Sequence, residues 1–266
     1  MTALPCPPLK EGNIVLAATL VLIRNGPEGV ELYLTERPGR VDFPSLHVFP
    51  GGKVSAADDA LARRPDYSFI DPAFSAVDVD ALLGERHAMR YWLACVREAY
   101  EEVGVIFAQR DGRPLGRAEQ LALAHFRDDV ADDSLSLAAF CTTQGLSLDL
   151  GALHYFSHWF TPPTAPRRFD TRFFLAELPP AQQADAHDYE VVSASWATPE
   201  AALQRAASGE WKMISPTLES LRSLRGLRSC EAVFAHVAAR RHLPDELSAT
   251  LKSEGMAEFG HAVPRA

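Results

Sequence analysis

The sequence predicts a layered α/β fold, and three observations carry that prediction. Strand-like and helix-like periods alternate along the chain, as they do when helices cover a sheet. Cap and turn residues stand at the joins between those periods. The composition, 47% hydrophobic and 23% charged, is that of a globular chain able to bury a sizeable core. At 266 residues one domain spanning 1–266, with insertions, is expected.

Residues 14–24 are rich in branched aliphatics and residues 31–37 give a second strand signal. Asn25-Gly26-Pro27 supplies the turn of a hairpin between them. Residues 38–50 carry turn formers and run into Phe49-Pro50-Gly51-Gly52, where a loop is expected. From Lys53 to about Arg86 a short helical stretch, 56–64, is broken by proline and aspartate. Residues 59–86 therefore read as an insertion. Residues 86–103 form a helix with Met89, Leu93 and Val96 on its apolar face, ended by Gly104.

Beyond it, 105–108 continues as a strand, and 118–126 and 134–143 read as helices. Strands at 154–160 and 169–178 are joined by a proline-rich loop, and a further strand covers 191–197. Thr198-Pro199 suits the cap and first turn of a helix over 200–207, with more helices at 216–224 and 230–241. The additional helices thus cluster at about 115–145 and 215–242.

The net charge of -9 gives no basic footprint for a nucleic-acid backbone. No apolar run reaches membrane-spanning length. Cys6, Cys95, Cys141 and Cys230 are widely spaced and read as reduced packing residues. No basic segment leads into an apolar secretory core, so a cytoplasmic location is the default expectation. Homodimerisation stays open.

The chemistry concentrates at Arg97-Glu98-Ala99-Tyr100-Glu101-Glu102-Val103-Gly104-Val105. Glu98, Glu101 and Glu102 stand at i, i+3 and i+4 on one side of a helix, where three anions repel one another. A hard divalent cation, Mg2+ or Mn2+, offsets that repulsion. Arg97 adds a rigid positive fork to orient a neighbouring carboxylate. Gly52 lets a main-chain carbonyl approach the same cation. Such a cation binds diphosphate oxygens and acidifies an attacking water. Glu98 is the first candidate for the general base and Glu190 the alternative. A solvated acidic face is the competing reading of the three glutamates, and the two glycines weigh against it.

These residues resemble the signature of the Nudix family: Gly, five residues, Glu, seven residues, Arg-Glu, apolar, any, Glu-Glu, any, Gly, apolar. Arg97 to Val105 matches the second half. The first half starts at Gly52 but has Asp58 at the glutamate position, and residues 59–96 intervene where the pattern has seven. The resemblance implies an α/β/α sandwich with a mixed β-sheet and helical insertions. It also implies metal ligation by Glu98, Glu101, Glu102 and the Gly52 carbonyl, and an orienting role for Arg97.

Further segments resemble the Nudix motif nineteen branch over roughly residues 12–225. They are 43–52, Ala56-Ala57-Asp58, Trp159-Phe160-Thr161-Pro162-Pro163 and 168–174. That branch implies hydrolysis of the diphosphate of coenzyme A or acyl-coenzyme A. The products are adenosine 3',5'-bisphosphate and the phosphopantetheine. Another nucleoside diphosphate derivative, such as a dinucleotide or nucleotide sugar, and a non-catalytic metabolite sensor are the alternatives. Arg37, Arg167, Arg168 and Arg172 are candidate phosphate contacts, because guanidinium binds phosphate through two donors. Phe160, Phe169, Phe173 and Phe174 are assigned to packing, and His47, His154 and His158 to structural or exposed positions.

Overall fold

The computed structural model describes residues 4–37, 45–64, 66–161, 163–186 and 191–239, and the backbone of 257–259. Its first half contains β1 (Lys10–Glu11), β2 (Ile14–Gly26), β3 (Gly29–Glu36), β4 (His47–Val48), β5 (Gly51–Lys53), α1 (Ala56–Ala62), α2 (Ala76–Leu83) and α3 (Met89–Val103). There follow β6 (Ala108–Arg110), β7 (Arg113–Pro114), α4 (Arg117–Leu123), α5 (Arg127–Ala131), α6 (Leu137–Gln144), β8 (Ser147–Leu148), β9 (His154–Phe160) and β10 (Arg168–Glu177). The chain continues through β11 (Ser193–Ala197), α7 (Pro199–Ala207), α8 (Ser215–Ser223), α9 (Cys230–Ala238) and β12 (Ala257–Phe259).

Side-chain alternation along β2 sets the layers. Leu16, Ala18, Leu20 and Leu22 enter one core with Trp92, Val96 and Val103 of α3. Val21 and Ile23 enter a second core with Leu32, Leu34, and Ala202, Leu221 and Val233 of α7, α8 and α9. Helices therefore cover both faces of the sheet, giving the expected α/β/α sandwich. The sheet order is β11-β3-β2-β10-β9-β12, with β1 and β5 on β2 and β4 on β3. β10 runs parallel to β2 while the other pairings are antiparallel, so the sheet is mixed.

Most elements fall where the sequence puts them, and the departures have local causes. Instead of a bare loop, Gly51 and Gly52 pair with Thr19 and Ala18 as strand β5. The central helix begins at Met89, not Arg86. Asp80 of α2 accepts from the main-chain N–H of His87 (3.1 Å) and Ala88 (2.8 Å), and His87 turns at φ +59° before the helix starts. No strand starts at Val105. The N–H and carbonyl of buried Ile106 bond to the Gln182 side chain (2.9 Å each), so pairing begins only at Ala108.

The insertion builds part of the first core. Phe69, Ile70 and Val79 are buried, and Ile70 bridges to Leu148. Both ends of the insertion close on α3: Arg90 binds Asp59 (3.2 Å) and Glu85 (3.3 Å), and Tyr91 donates to Glu85 (3.1 Å). Among the described residues no helix is long and apolar enough to cross a membrane.

Gly51 has φ +152°, and a Cβ there would stand 2.4 Å from the Ala18 carbonyl oxygen and 2.7 Å from the Thr19 Cα. Both obstacles are backbone, so neither yields by a rotamer change. Gly51→Ala is expected to lower stability by about 2–3 kcal/mol in urea unfolding. A shift within about 0.5 kcal/mol, the range of an ordinary surface substitution, would refute this account of the β2–β5 pair.

Candidate active site

The site rests on α3. Trp92 anchors the helix, its indole N–H donating to the Leu153 carbonyl (3.2 Å) and its ring meeting Phe174 edge-on at 4.5 Å. Gly104, at φ +65°, ends the helix: its N–H returns to Tyr100 (3.0 Å) and that of Val105 to Ala99 (3.1 Å). Arg127 of α5 donates to the Glu101 carbonyl (2.9 Å), placing a cation at the negative end of the helix. The last turns, with their three glutamates, are thereby fixed beside β5.

Arg97 is the hub of this region and only 8% exposed. Its Nη1 binds Glu101 (2.7 Å) and Glu98 (3.0 Å). Its Nε and Nη2 bind Asp58 (3.1–3.3 Å), and Nη2 also donates to the Lys53 carbonyl (2.9 Å). Burial opposes the charge on Arg97, yet Glu98, Asp58 and Glu101 outweigh it and hold the guanidinium charged. Asp58 is 1% exposed and serves twice. It completes the capping box that starts α1, exchanging hydrogen bonds with Ser55, and it pairs with Arg97. The aspartate standing where the signature has glutamate thus meets Arg97 across the whole insertion.

The carboxylates are held by groups of opposite polarity. Glu102 accepts from the Gly51 N–H (2.9 Å). Glu98 lies against Gly52, where a Cβ would stand 2.2 Å from Oε1. Desolvation, with Glu98 and Asp58 nearby, pushes the Glu101 carboxyl up to about 8. Arg97 takes Glu101 Oε2, while Oε1 is buried with no hydrogen-bond partner.

Among the described residues no three His, Cys, Asp or Glu side chains are grouped for ligation in this arrangement. The donors nonetheless suit a hard divalent cation. They are carboxylate oxygens on one helix face, one of them buried without a partner, beside a residue with no side chain to obstruct approach.

The remaining candidates separate. Arg172 is 4% exposed and committed to ion pairs with Asp170 (2.5 Å) and Glu85, beside the ring of Tyr91. His158 joins the same network through Asp170 (2.5 Å). These groups tie the N-terminal half of α3 to β9 and β10. Arg168 donates to the Thr161 carbonyl (3.0 Å). Arg167 is exposed and sits over Phe169 at 5.4 Å. The main chain of Arg37 pairs with Ser45 and Leu46, and its Nε is buried without a hydrogen-bond partner. His47 stacks on Trp211 at 4.5 Å. Glu190 lies outside the described residues. Asp185 before it bonds to the Val103 carbonyl (2.9 Å), and Val192 after it to that of Glu36 (2.9 Å).

Asp58→Asn keeps the shape of the side chain but removes a buried countercharge from Arg97. Stability is expected to fall by about 2–3 kcal/mol, at or below the cost of breaking a buried pair because Glu98 and Glu101 remain. An unfolding midpoint equal to that of the unaltered chain would show that the contact carries no weight.

The family model described as the NUDT19 Nudix domain matches residues 62–224, more than half of the chain. The chain is 30% identical over 270 residues to "Acyl-coenzyme A diphosphatase NUDT19" of Gallus gallus, covering 84% of this chain and 70% of that protein. It is 31% identical over 237 residues to the Homo sapiens protein of the same name, covering 76% and 62% respectively. Among solved structures, a NUDIX hydrolase from Alicyclobacillus acidocaldarius is 31% identical. It superposes with a TM-score of 0.60 over 81% of this chain and 93% of the other. The chain belongs to the Nudix hydrolases, in the family of the NUDT19 Nudix domain.

Proposed function

We propose that this Nudix hydrolase is a metal-dependent diphosphatase of coenzyme A or acyl-coenzyme A, releasing adenosine 3',5'-bisphosphate and the (acyl-)phosphopantetheine. The observation that carries the reading is the carboxylate cluster of α3, gripped by Arg97 and set against Gly52. The substrate class follows from two relatives whose name gives acyl-coenzyme A.

Glu98, Glu101, Glu102 and the Gly52 carbonyl would hold Mg2+ or Mn2+. Those groups would thereby bring to the site charge neutralisation of the diphosphate oxygens and acidification of the attacking water. The chain's own contribution is positional. Arg97 holds Glu98 and Glu101 in fixed rotamers, and Gly51 holds Glu102 through its N–H. Glu98 takes the proton of the attacking water, with Glu190 as the other candidate. Of the four arginines proposed to contact phosphate, Arg167 is exposed, whereas Arg172 serves the buried network.

Purified protein with Mg2+ and coenzyme A should release both products, and chelation should stop the reaction. Turnover of a dinucleotide or nucleotide sugar without turnover of coenzyme A would reject the substrate. Glu102→Gln should reduce kcat by roughly a hundredfold or more, since loss of a residue that merely supports a ligand already costs 10–100-fold. Near-normal rates for this variant across a Mg2+ titration would reject the site. Glu98→Gln and Glu190→Gln, each followed across pH, separate the two candidate bases: the variant that loses the acidic limb of the rate profile has lost the base.

A further inference from the structure

Lys10, Lys53 and Arg167 line one cleft of about 540 Å3 at the end of the sheet next to Gly52, and among the described residues no Asp or Glu lines it. Strand register explains the convergence. Lys10 pairs with Val15 and Lys53 with Ala17, along the same edge of β2. Residues two apart on a strand share a face, so the two lysine stems rise from one face, about 7 Å apart. That face is the one opposite α3, because Leu16 and Ala18 point to the α3 core. Across β2, Phe169 pairs with Val15, and Arg167 lies over its ring.

The wall is braced. The Asn13 side-chain amide donates to the carbonyls of Ala165 and Pro166 (3.4 Å each), and the Arg168 N–H donates to the Asn13 carbonyl (3.0 Å). These bonds fasten the segment carrying Arg167 to the turn that follows Lys10.

Three cations in one concavity focus a positive field that suits a compact dianion. A phosphate monoester, with its cluster of acceptor oxygens, is such a group. Position narrows the choice further. Gly52, which touches Glu98, and Lys53 are consecutive, their Cα atoms about 3.8 Å apart, and successive strand residues face opposite sides. Among the described residues β5 pairs only with β2, and along its other edge the Gly51 N–H donates to Glu102 and the Lys53 carbonyl accepts from Arg97. The carboxylates and the ammonium groups thus stand on opposite sides of one short strand, a single residue apart along it.

We infer that the Lys10–Lys53–Arg167 cleft is a subsite for a phosphate monoester carried by the substrate apart from the diphosphate that is cut. On the coenzyme A reading, on which this assignment of the ligand rests, that group is the 3'-phosphate of the adenosine. The cleft then sets specificity and takes no part in bond cleavage.

Two measurements on the full chain test this. In calorimetric titrations, adenosine 3',5'-bisphosphate should bind about tenfold more tightly than adenosine 5'-monophosphate, the equivalent of one charge-assisted contact. Lys10→Gln/Lys53→Gln should abolish the preference, and Arg167→Gln, at an exposed position, should diminish it independently. Equal affinities in the unaltered chain, or a preference that survives in both variants, overturns the subsite.

In the second measurement, kcat/KM with Mg2+ is compared for coenzyme A and 3'-dephospho-coenzyme A, and the ratio should fall towards one in the same variants. If neither coenzyme is cleaved while the bisphosphate preference exists and is lost in the variants, the subsite stands and the coenzyme A reading fails. If both are cleaved with a ratio the variants leave unchanged, the reading stands and the subsite fails.

Discussion

A guanidinium buried among carboxylates is the constraint around which this molecule is arranged. Arg97 would be costly to bury alone, and it is accommodated because Asp58, Glu98, Glu101 and the Lys53 carbonyl between them engage all three of its nitrogens. Those acceptors come from α1, α3 and the end of β5, so satisfying one side chain fixes three elements relative to one another. Three carboxylates share that single cation. Burial first, and Glu98 and Asp58 second, raise the Glu101 carboxyl, and the surplus negative charge gives the cluster its demand for further positive charge. The structural role and the proposed chemistry therefore meet in one cluster.

The two ends of α3 repeat one device with different outcomes. Arg90 and Arg97 are two helical turns apart and grip the adjacent Asp59 and Asp58. At Arg90 the network runs on through Glu85 and Arg172 to Asp170 and is closed inside the protein. At Arg97 it ends on Glu98 and Glu101, with the Glu98 carboxylate set against the side-chain-free Gly52. A similar pairing of charges thus yields rigidity at one end of the helix and a candidate reaction centre at the other.

What the sequence made legible follows from the range of the signals. The β2–β3 hairpin, α3 with its Gly104 terminus, and the Thr198-Pro199 start of α7 are local patterns, and they stand where the periods and caps put them. Strands of two or three residues, such as β1, β4 and β5, are too short to show a period. The α2 helix lay hidden among aspartates, although Ser75 and Gly84 mark its two ends as cap residues. The strand expected at Val105 failed because an apolar run reads alike whether its main chain bonds to a strand or, as at Ile106, to a glutamine side chain.

In the site, the helical spacing of the glutamates was local and readable. The partnership of Asp58 with Arg97, the burial of Arg172 and the Arg127 contact to Glu101 depend on chain segments that meet only in three dimensions.

The way the insertion is fastened bears on how such a chain can change over evolutionary time. Asp58 and Asp59 hold its beginning to α3, and Glu85 holds its end to Arg90 and Tyr91. Between the two points of attachment, Phe69, Ile70 and Val79 enter the core, and the rest of the segment lies outside both clasps. The entropy of closing a flexible segment grows only logarithmically with its length, by about 0.6 kcal/mol for each doubling. Residues gained or lost in the exposed stretches between the clasps, away from the buried Phe69, Ile70 and Val79, leave the geometry of Glu98, Glu101 and Glu102 the same. The interrupted signature is then a tolerant junction, at which a lineage can remodel the surroundings of its chemistry without disturbing the chemistry itself.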